Sequence, residues 1–233
     1  MSQKPPHIAI IIPALNEEDA IGAVLKEISR DTPIRMIVAD NGSTDRTADV
    51  ARAAGAEVVT APRRGYGSAC LAGIRALRDE TIIVFIDADG SSDPAQMPSL
   101  IAPIERGDAD IVIGSRKLGR VEDGAMSFPA RVGNWLAPFL IRLIWGFRYT
   151  DLGPFRAIRA DSLRRLGMQD PDYGWTVEMQ IKAVRHRLKI VEVPVTWRNR
   201  RGGASKISRT VRGVMGASFK IIWTIFRYAI SRA

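Results

Sequence analysis

The first half of the chain repeats one unit: a short apolar run stopped by a polar or acidic residue, then a stretch with apolar residues at helical spacing. His7 to Ile12 is such a run, ended by Pro13, and Ile34 to Ala39, Glu57 to Thr60, Thr81 to Ile86 and Ala109 to Ile113 repeat it. Runs of this length and composition read as buried strands. Between them, Glu17 to Ser29, Thr47 to Ala54 and Tyr66 to Arg78 read as helices. Ala20, Ile21, Val24, Leu25 and Ile28 lie along one face of the first, and Ser43 or Thr44 offers a cap to the second. Strand and helix alternating at this interval predict an α/β fold: a Rossmann-like, mostly parallel sheet with helices on both faces. Ligands of such sheets gather at the carboxyl ends of the strands, and Asn16, Asp40, Asp87, Asp89 and Arg116 all fall there.

Beyond residue 117 the pattern changes. Phe128 to Phe147, rich in Trp, Leu and Ile but carrying Arg131 and Arg142, reads as an amphipathic helix pair. Leu188 to Val195 returns to strand character, and Arg198 to Lys206 is a basic loop containing glycine. Val211 to Arg232 has the profile of a helix lying in a membrane interface, its apolar residues interrupted by Arg212, Lys220, Arg227 and Arg232. The expected organisation is one domain over residues 1–206 and an amphipathic extension over 207–233 that meets a membrane or a second copy of the chain.

A net charge of +9 calls for an anionic partner. Nucleic acid is disfavoured, because no stacking aromatics are interleaved with the Arg198-Asn199-Arg200-Arg201 run. An anionic membrane surface or a phosphorylated substrate remains. Cys70 is the single cysteine, which excludes an internal disulfide and a cysteine-rich zinc site and fits a reducing compartment. Met1 to His7 lacks the features of a signal peptide, and charged residues break every apolar stretch before it reaches the roughly 20 residues a crossing needs. The expected location is cytoplasmic, peripheral on the cytoplasmic face of a membrane.

Asp87 and Asp89 stand two apart at a strand end, so their carboxylates point to one side. Two hard oxygen ligands so placed can hold Mg²⁺ or Mn²⁺, whose remaining positions go to water and substrate phosphate. The same spacing serves equally for acids capping the helix that begins near Asp93-Pro94. Asp40 reads either as a partner for base or ribose hydroxyls or as the turn former before Asn41-Gly42. Arg200, Arg201 and Lys206, with Gly202 and Gly203 between them, could close over phosphates or lie solvated.

Taken in order, the segments Ile11 to Glu18, Asp40-Asn41-Gly42-Ser43-Thr44-Asp45, Asp87-Ala88-Asp89 and Gly114-Ser115-Arg116 resemble the family 2 inverting glycosyltransferases of GT-A fold. Asp151 to Arg156, Gly174 to Met179 and Arg200 to Lys206 are similar to the branch typified by dolichyl-phosphate mannose synthase. The resemblance implies that Pro13, Leu15 and Glu17 frame the base and ribose of a nucleotide-sugar donor, of GDP-mannose or UDP-glucose type, with Asp40 on the base side. It implies that Asp87 and Asp89 bind the metal and that Ala88 meets the nucleotide through its backbone. Ser91 stands where the mannose synthases often supply a glutamine to the metal. Arg116 matches the arginine near the sugar, Arg131 one suited to an acceptor phosphate, and Arg200 with Lys206 the loop that clamps the diphosphate.

The implied reaction is a single in-line displacement at the anomeric carbon. A lipid-phosphate acceptor, polyprenyl phosphate by resemblance, is already anionic and needs no base. A hydroxyl acceptor would need one, and Asp151 or Glu178 would serve. Against those roles stand bland ones, Asp151 as a helix cap and Glu178 as a helix-surface acid. A nucleotide-sugar binder without turnover is the remaining alternative.

Overall fold

The computed structural model describes residues 7–28, 33–202 and 211–230. Seven strands form one sheet: β1 (Ile8–Ala14), β2 (Ile34–Asp40), β3 (Glu57–Thr60), β4 (Ile82–Phe85), β5 (Ile111–Val121), β6 (Arg156–Arg159) and β7 (Ile190–Trp197). Their order is β3-β2-β1-β4-β6-β5-β7. All neighbouring pairs are parallel except those of β6, which runs antiparallel to both β4 and β5. The register sets Ala14 beside Asp40 and Ile11 beside Phe85, so β1, β2 and β4 end at the same edge.

Both faces of this sheet are covered, which is why its strands read as unbroken apolar runs. Ile8, Ile10, Ile12, Val38 and Val84 face helices α1 (Glu18–Glu27), α2 (Thr47–Ala53) and α4 (Met97–Glu105) through Ile21, Leu25, Ala51 and Leu100. Their neighbours Ala9, Ile11, Ile37, Ile83 and Phe85 point the other way. They meet Cys70 of α3 (Tyr66–Arg75), Ile141 of α5 (Phe128–Trp145), Leu163 of α6 (Ala160–Leu166), Trp175 of α7 (Trp175–Arg185) and Ile225 of α8 (Val211–Ile230). Each fully buried isoleucine on either face contributes about 1.5–3 kcal/mol.

The predicted α/β architecture is the observed one, with local differences. Phe128 to Phe147 is not a helix pair but the single helix α5, which continues through Pro138 and stops at Gly146 in the left-handed region (φ 76°). Pro138 removes one backbone bond, but Ala137 and Ile141 beside it are buried against the sheet and hold the axis in place. β5 runs on past Ile113 to Val121, with a bulge between Ser115 and Arg120. The first helix ends at Glu27, and its expected last residue, Ser29, lies outside the described residues.

α8 packs on α5 and α7, Ile225 is fully buried, and Lys220 pairs with Asp170 at 3.0 Å. Among the described residues no helix is long and apolar enough to cross a membrane. Two exposed apolar stripes remain: Phe128, Val132, Trp135, Phe139 and Leu143 on α5, and Phe219, Trp223, Phe226 and Ile230 on α8. Both keep the i, i+4, i+7 spacing of one helix face.

Candidate active site

At the edge where β1, β2 and β4 end lies a cavity of about 510 Å³, within the range of small-molecule sites. Pro13 and Ala14, the last residues of β1, line it with Leu15 and Glu17 just beyond, Asn41 follows β2, and Asp87 to Asp89 follow β4. Gly65 and Tyr66 at the start of α3, Asp172, Tyr173 and Arg200 complete the wall with Arg64 and Ala69.

Side chains lace these loops together. Asn16, in the left-handed region (φ 51°), accepts the Thr44 amide at 2.8 Å, and the Glu17 amide donates to Thr47 Oγ1 at 2.8 Å. Asn41 Oδ1 accepts the Gly65 amide at 2.8 Å while its Nδ2 donates to the Arg63 carbonyl. Gly65, at φ 138°, and Gly67 let the start of α3 close on the 170–171 backbone: a Cβ at either would lie 2.3 Å or less from a carbonyl oxygen. That contact brings Asp172 and Tyr173 to the cavity.

Asp87 and Asp89 both line the cavity, and neither caps the following helix. Asp93 does that, its Oδ1 accepting the Ala95 amide at 3.1 Å. The Tyr66 hydroxyl donates to Asp87 Oδ1 at 3.0 Å. Asp89 Oδ1 accepts the amide and hydroxyl of Ser91, at 2.9 and 2.5 Å, and Asp89 Oδ2 meets Arg200 at 2.8 Å. Burial and the neighbouring charge of Asp89 push the Asp87 carboxyl up to about 7, against the pull of the Tyr66 hydroxyl, Arg200 and Arg116. Two adjacent carboxylates, Asp89 buried and Asp87 half-buried, with one arginine between Asp89 and Glu17, fit a divalent cation. Among the described residues no third acid, histidine or cysteine joins them, leaving the other positions to water and phosphate oxygens, the habit of Mg²⁺ and Mn²⁺.

The other expected site residues meet different surroundings. Ser91 is fully buried, and its amide and hydroxyl both turn to Asp89. Asp40 takes the turn-forming role, accepting the Ser43 amide at 3.2 Å, and does not line the cavity. Asp151 does not cap a helix: it is fully buried and held by Arg116 through the backbone amide, Nε and an NH₂ group at 2.7–2.8 Å. Burial alone would raise its pKa, but the Arg116 bonds outweigh that and keep the carboxyl below its ordinary range. Arg116, thus fixed, also bonds Asn134 and lies 4.8 Å over the Trp197 ring.

Glu178 is not a surface acid. It is buried inside α7, accepting the amides of Gln169 and Asp170 and the Tyr228 hydroxyl, and pairing with Lys182 at 2.8 Å. With its oxygens so engaged it does not face the cavity. Arg131 is exposed in the first turn of α5, near the apolar stripe and apart from the cavity. Lys206 lies outside the described residues.

Tyr66, Asp172 and Tyr173 are the residues that pattern reading missed. For Tyr66 a signal existed: an aromatic between Gly65 and Gly67 is an unusual helix start. Its ring packs edge-on against Trp175, which packs in turn on Phe85 at 4.8 Å. Asp172 and Tyr173 carry no such mark, since only the α3 contact delivers them.

The sequence profile of glycosyl transferase family 2 matches residues 9–167. An uncharacterized glycosyltransferase of Mycobacterium tuberculosis is 38% identical over 206 residues, covering 88% of this chain and 92% of that one. The undecaprenyl-phosphate mannosyltransferase of Micrococcus luteus is 33% identical over 222 residues, covering 88% and 89%. Among solved structures, glucosyl-3-phosphoglycerate synthase of M. tuberculosis, in complex with Mn²⁺, uridine diphosphate and glucosyl-3-phosphoglycerate, superposes with a TM-score of 0.78 at 26% identity, covering 98% of this chain and 82% of that one. With its mostly parallel sheet and its cavity at the ends of β1, β2 and β4, the chain belongs to glycosyl transferase family 2 and is a glycosyltransferase of GT-A fold.

Proposed function

We propose that the protein transfers a hexose, with inversion, from a nucleoside diphosphate sugar to a polyprenyl phosphate, using Mg²⁺ or Mn²⁺ held by Asp87 and Asp89. The observation that carries this reading is the pair itself: two neighbouring carboxylates just past a strand end, Asp89 buried and Asp87 half-buried, lining a cavity that Arg200 also lines. A cation bound there supplies positive charge to the departing diphosphate. Pro13, Leu15 and Glu17 frame the nucleoside, Ala88 meets it through the backbone, and Arg200 with Lys206 binds phosphate oxygens. Tyr66 and Ser91 hold the two carboxylates in orientation.

A phosphate acceptor is favoured because the two carboxylates a hydroxyl acceptor would call on are engaged elsewhere, Asp151 by Arg116 and Glu178 by backbone amides and Lys182. An anionic phosphate oxygen attacks without a base. The similarity to an undecaprenyl-phosphate mannosyltransferase points the same way. The stripes on α5 and α8 suit a lipid surface, and Arg131 and Arg142, exposed on α5, suit the anionic headgroups of a cytoplasmic leaflet.

Thermal shifts against a panel of nucleotide sugars, each with and without Mn²⁺, test the donor side. Asp89→Ala should keep the fold and abolish the metal-dependent part of the donor-induced shift. Retention of that part in the variant would remove the assignment.

A further inference from the structure

We propose that Arg200 stands in for the divalent cation while the site is free of donor, and that cation and donor enter by displacing its guanidinium from Asp89. This rests on the reading of Asp87 and Asp89 as the cation pair and adds a competition to it.

One guanidinium bridges acids from two loops: it lies 2.8 Å from Asp89 Oδ2 and 2.7 Å from Glu17 Oε1. Asp89 therefore has both oxygens committed, Oδ1 to the amide and hydroxyl of Ser91 and Oδ2 to Arg200. Three of the roughly four lone-pair positions are thereby taken, and a cation on the last would sit beside the Arg200 guanidinium, whose like charge opposes it. The Ser91 contacts belong to the same turn and form with it. The Arg200 contact comes from a distant segment, and it is the one that yields.

The backbone around Arg200 is fastened, so the exchange needs only the side chain to rotate. The Arg198 amide donates to the Ser91 carbonyl at 2.7 Å and the Arg201 amide to the Asp89 carbonyl at 3.1 Å. Arg198 also pairs with Asp93 at 2.5 Å, and the stem of Arg201 closes over Gly90, where a Cβ would come within 2.9 Å of Arg201 Cγ. Between these fastenings the Arg200 side chain is 30% exposed and borders the cavity.

Two features mark this position as a resting one. The Arg200 Nε is buried without a hydrogen-bond partner, a donor that an arriving anion can satisfy. The planar fork of arginine matches phosphate as well as carboxylate, so a side chain leaving Asp89 finds equivalent partners on a diphosphate. Cation alone must then compete with a tethered positive charge, whereas donor draws that charge away. Each ligand thus favours the other, and by linkage the effect is reciprocal.

The test measures Mn²⁺ binding without nucleotide, from the electron paramagnetic resonance signal of free Mn²⁺, for wild type, Arg200→Met, Arg200→Gln and Asp89→Asn, and then repeats it with UDP and with GDP. Removing the guanidinium should tighten Mn²⁺ binding about fivefold, the weight of one partly exposed ion pair. The same variants should lose most of the mutual enhancement between Mn²⁺ and nucleotide. A gain in affinity cannot come from misfolding, and the two replacements guard against a fault peculiar to one. Should neither tighten Mn²⁺ binding while Asp89→Asn abolishes it, the competition is refuted and the cation pair stands. If Asp89→Asn binds Mn²⁺ as wild type does, the cation pair itself is wrong and the competition falls with it.

Discussion

Asp151→Asn changes one atom of a side chain with no exposed surface, beneath an arginine that is itself only 13% exposed. The carboxylate takes three short bonds from Arg116, one from its amide and two from its guanidinium. Removing one partner of a buried ion pair costs about 3–5 kcal/mol, and because asparagine keeps one acceptor oxygen we expect about 2–3 kcal/mol here. In a chain of this length that is a fall of about 5–10 °C in Tm. The loss should also carry a pH signature. Against burial, Arg116 holds the Asp151 carboxyl below its ordinary range in the folded state. A depressed carboxyl contributes stability that is fully present above its unfolded pKa, about 3.9, and is lost as pH falls through the folded value. Asparagine does not titrate. Urea denaturation of both proteins should therefore show a constant gap from about pH 7 to about pH 5 that narrows below about pH 4. A gap that holds its size down to about pH 3, or one under about 0.5 kcal/mol throughout, would show that the pair does not bear the weight assigned to it.

Glu178→Gln should lower stability by about 1–3 kcal/mol, since it weakens a buried acceptor of amide, hydroxyl and ammonium groups, and should leave kcat nearly intact. A fall in kcat of about a hundredfold or more with Tm unchanged, the pattern of a lost general base, would restore the catalytic role. Trp135→Glu combined with Phe139→Glu alters two stacked, exposed rings on α5, 5.5 Å apart. The double variant should unfold within about 0.5 kcal/mol of wild type and fail to float with vesicles containing anionic lipid. Flotation equal to wild type would mean that the stripe does not meet the lipid surface.

Much of the sheet was legible because its strands are buried on both faces. Ile8 to Ile12 and Ile82 to Phe85 cannot alternate with polar residues when α1 and α4 cover one side and α5 and α7 the other. β6 was not legible for the opposite reason. Its sequence, Arg156-Ala157-Ile158-Arg159, begins and ends in charge, and Arg156 is buried only because the carbonyls of Gly153 and Thr176 receive its guanidinium. α7 hid itself likewise, since Glu178 and Gln180 lie on its buried side and find partners that only the fold assembles.

The sequence by itself determined the α/β alternation, the placing of Asp87 and Asp89 at a strand end, and the amphipathic character of the last helix. These follow from periodicity and residue type, which act over a few neighbouring positions. Local spacing was silent on which acids remain available. Asp87-Ala88-Asp89 was equally compatible with a cation pair or a helix cap, and Asp151 and Glu178 were equally plausible as bases. The folded chain gave each acid its partners: Asp93 took the cap, Arg116, remote in sequence, took Asp151, and Lys182, the 169–170 amides and the remote Tyr228 hydroxyl took Glu178. A carboxylate's role depends on which donors and charges lie within about 3–4 Å, and for a side chain folded against remote segments that neighbourhood is set by tertiary packing alone.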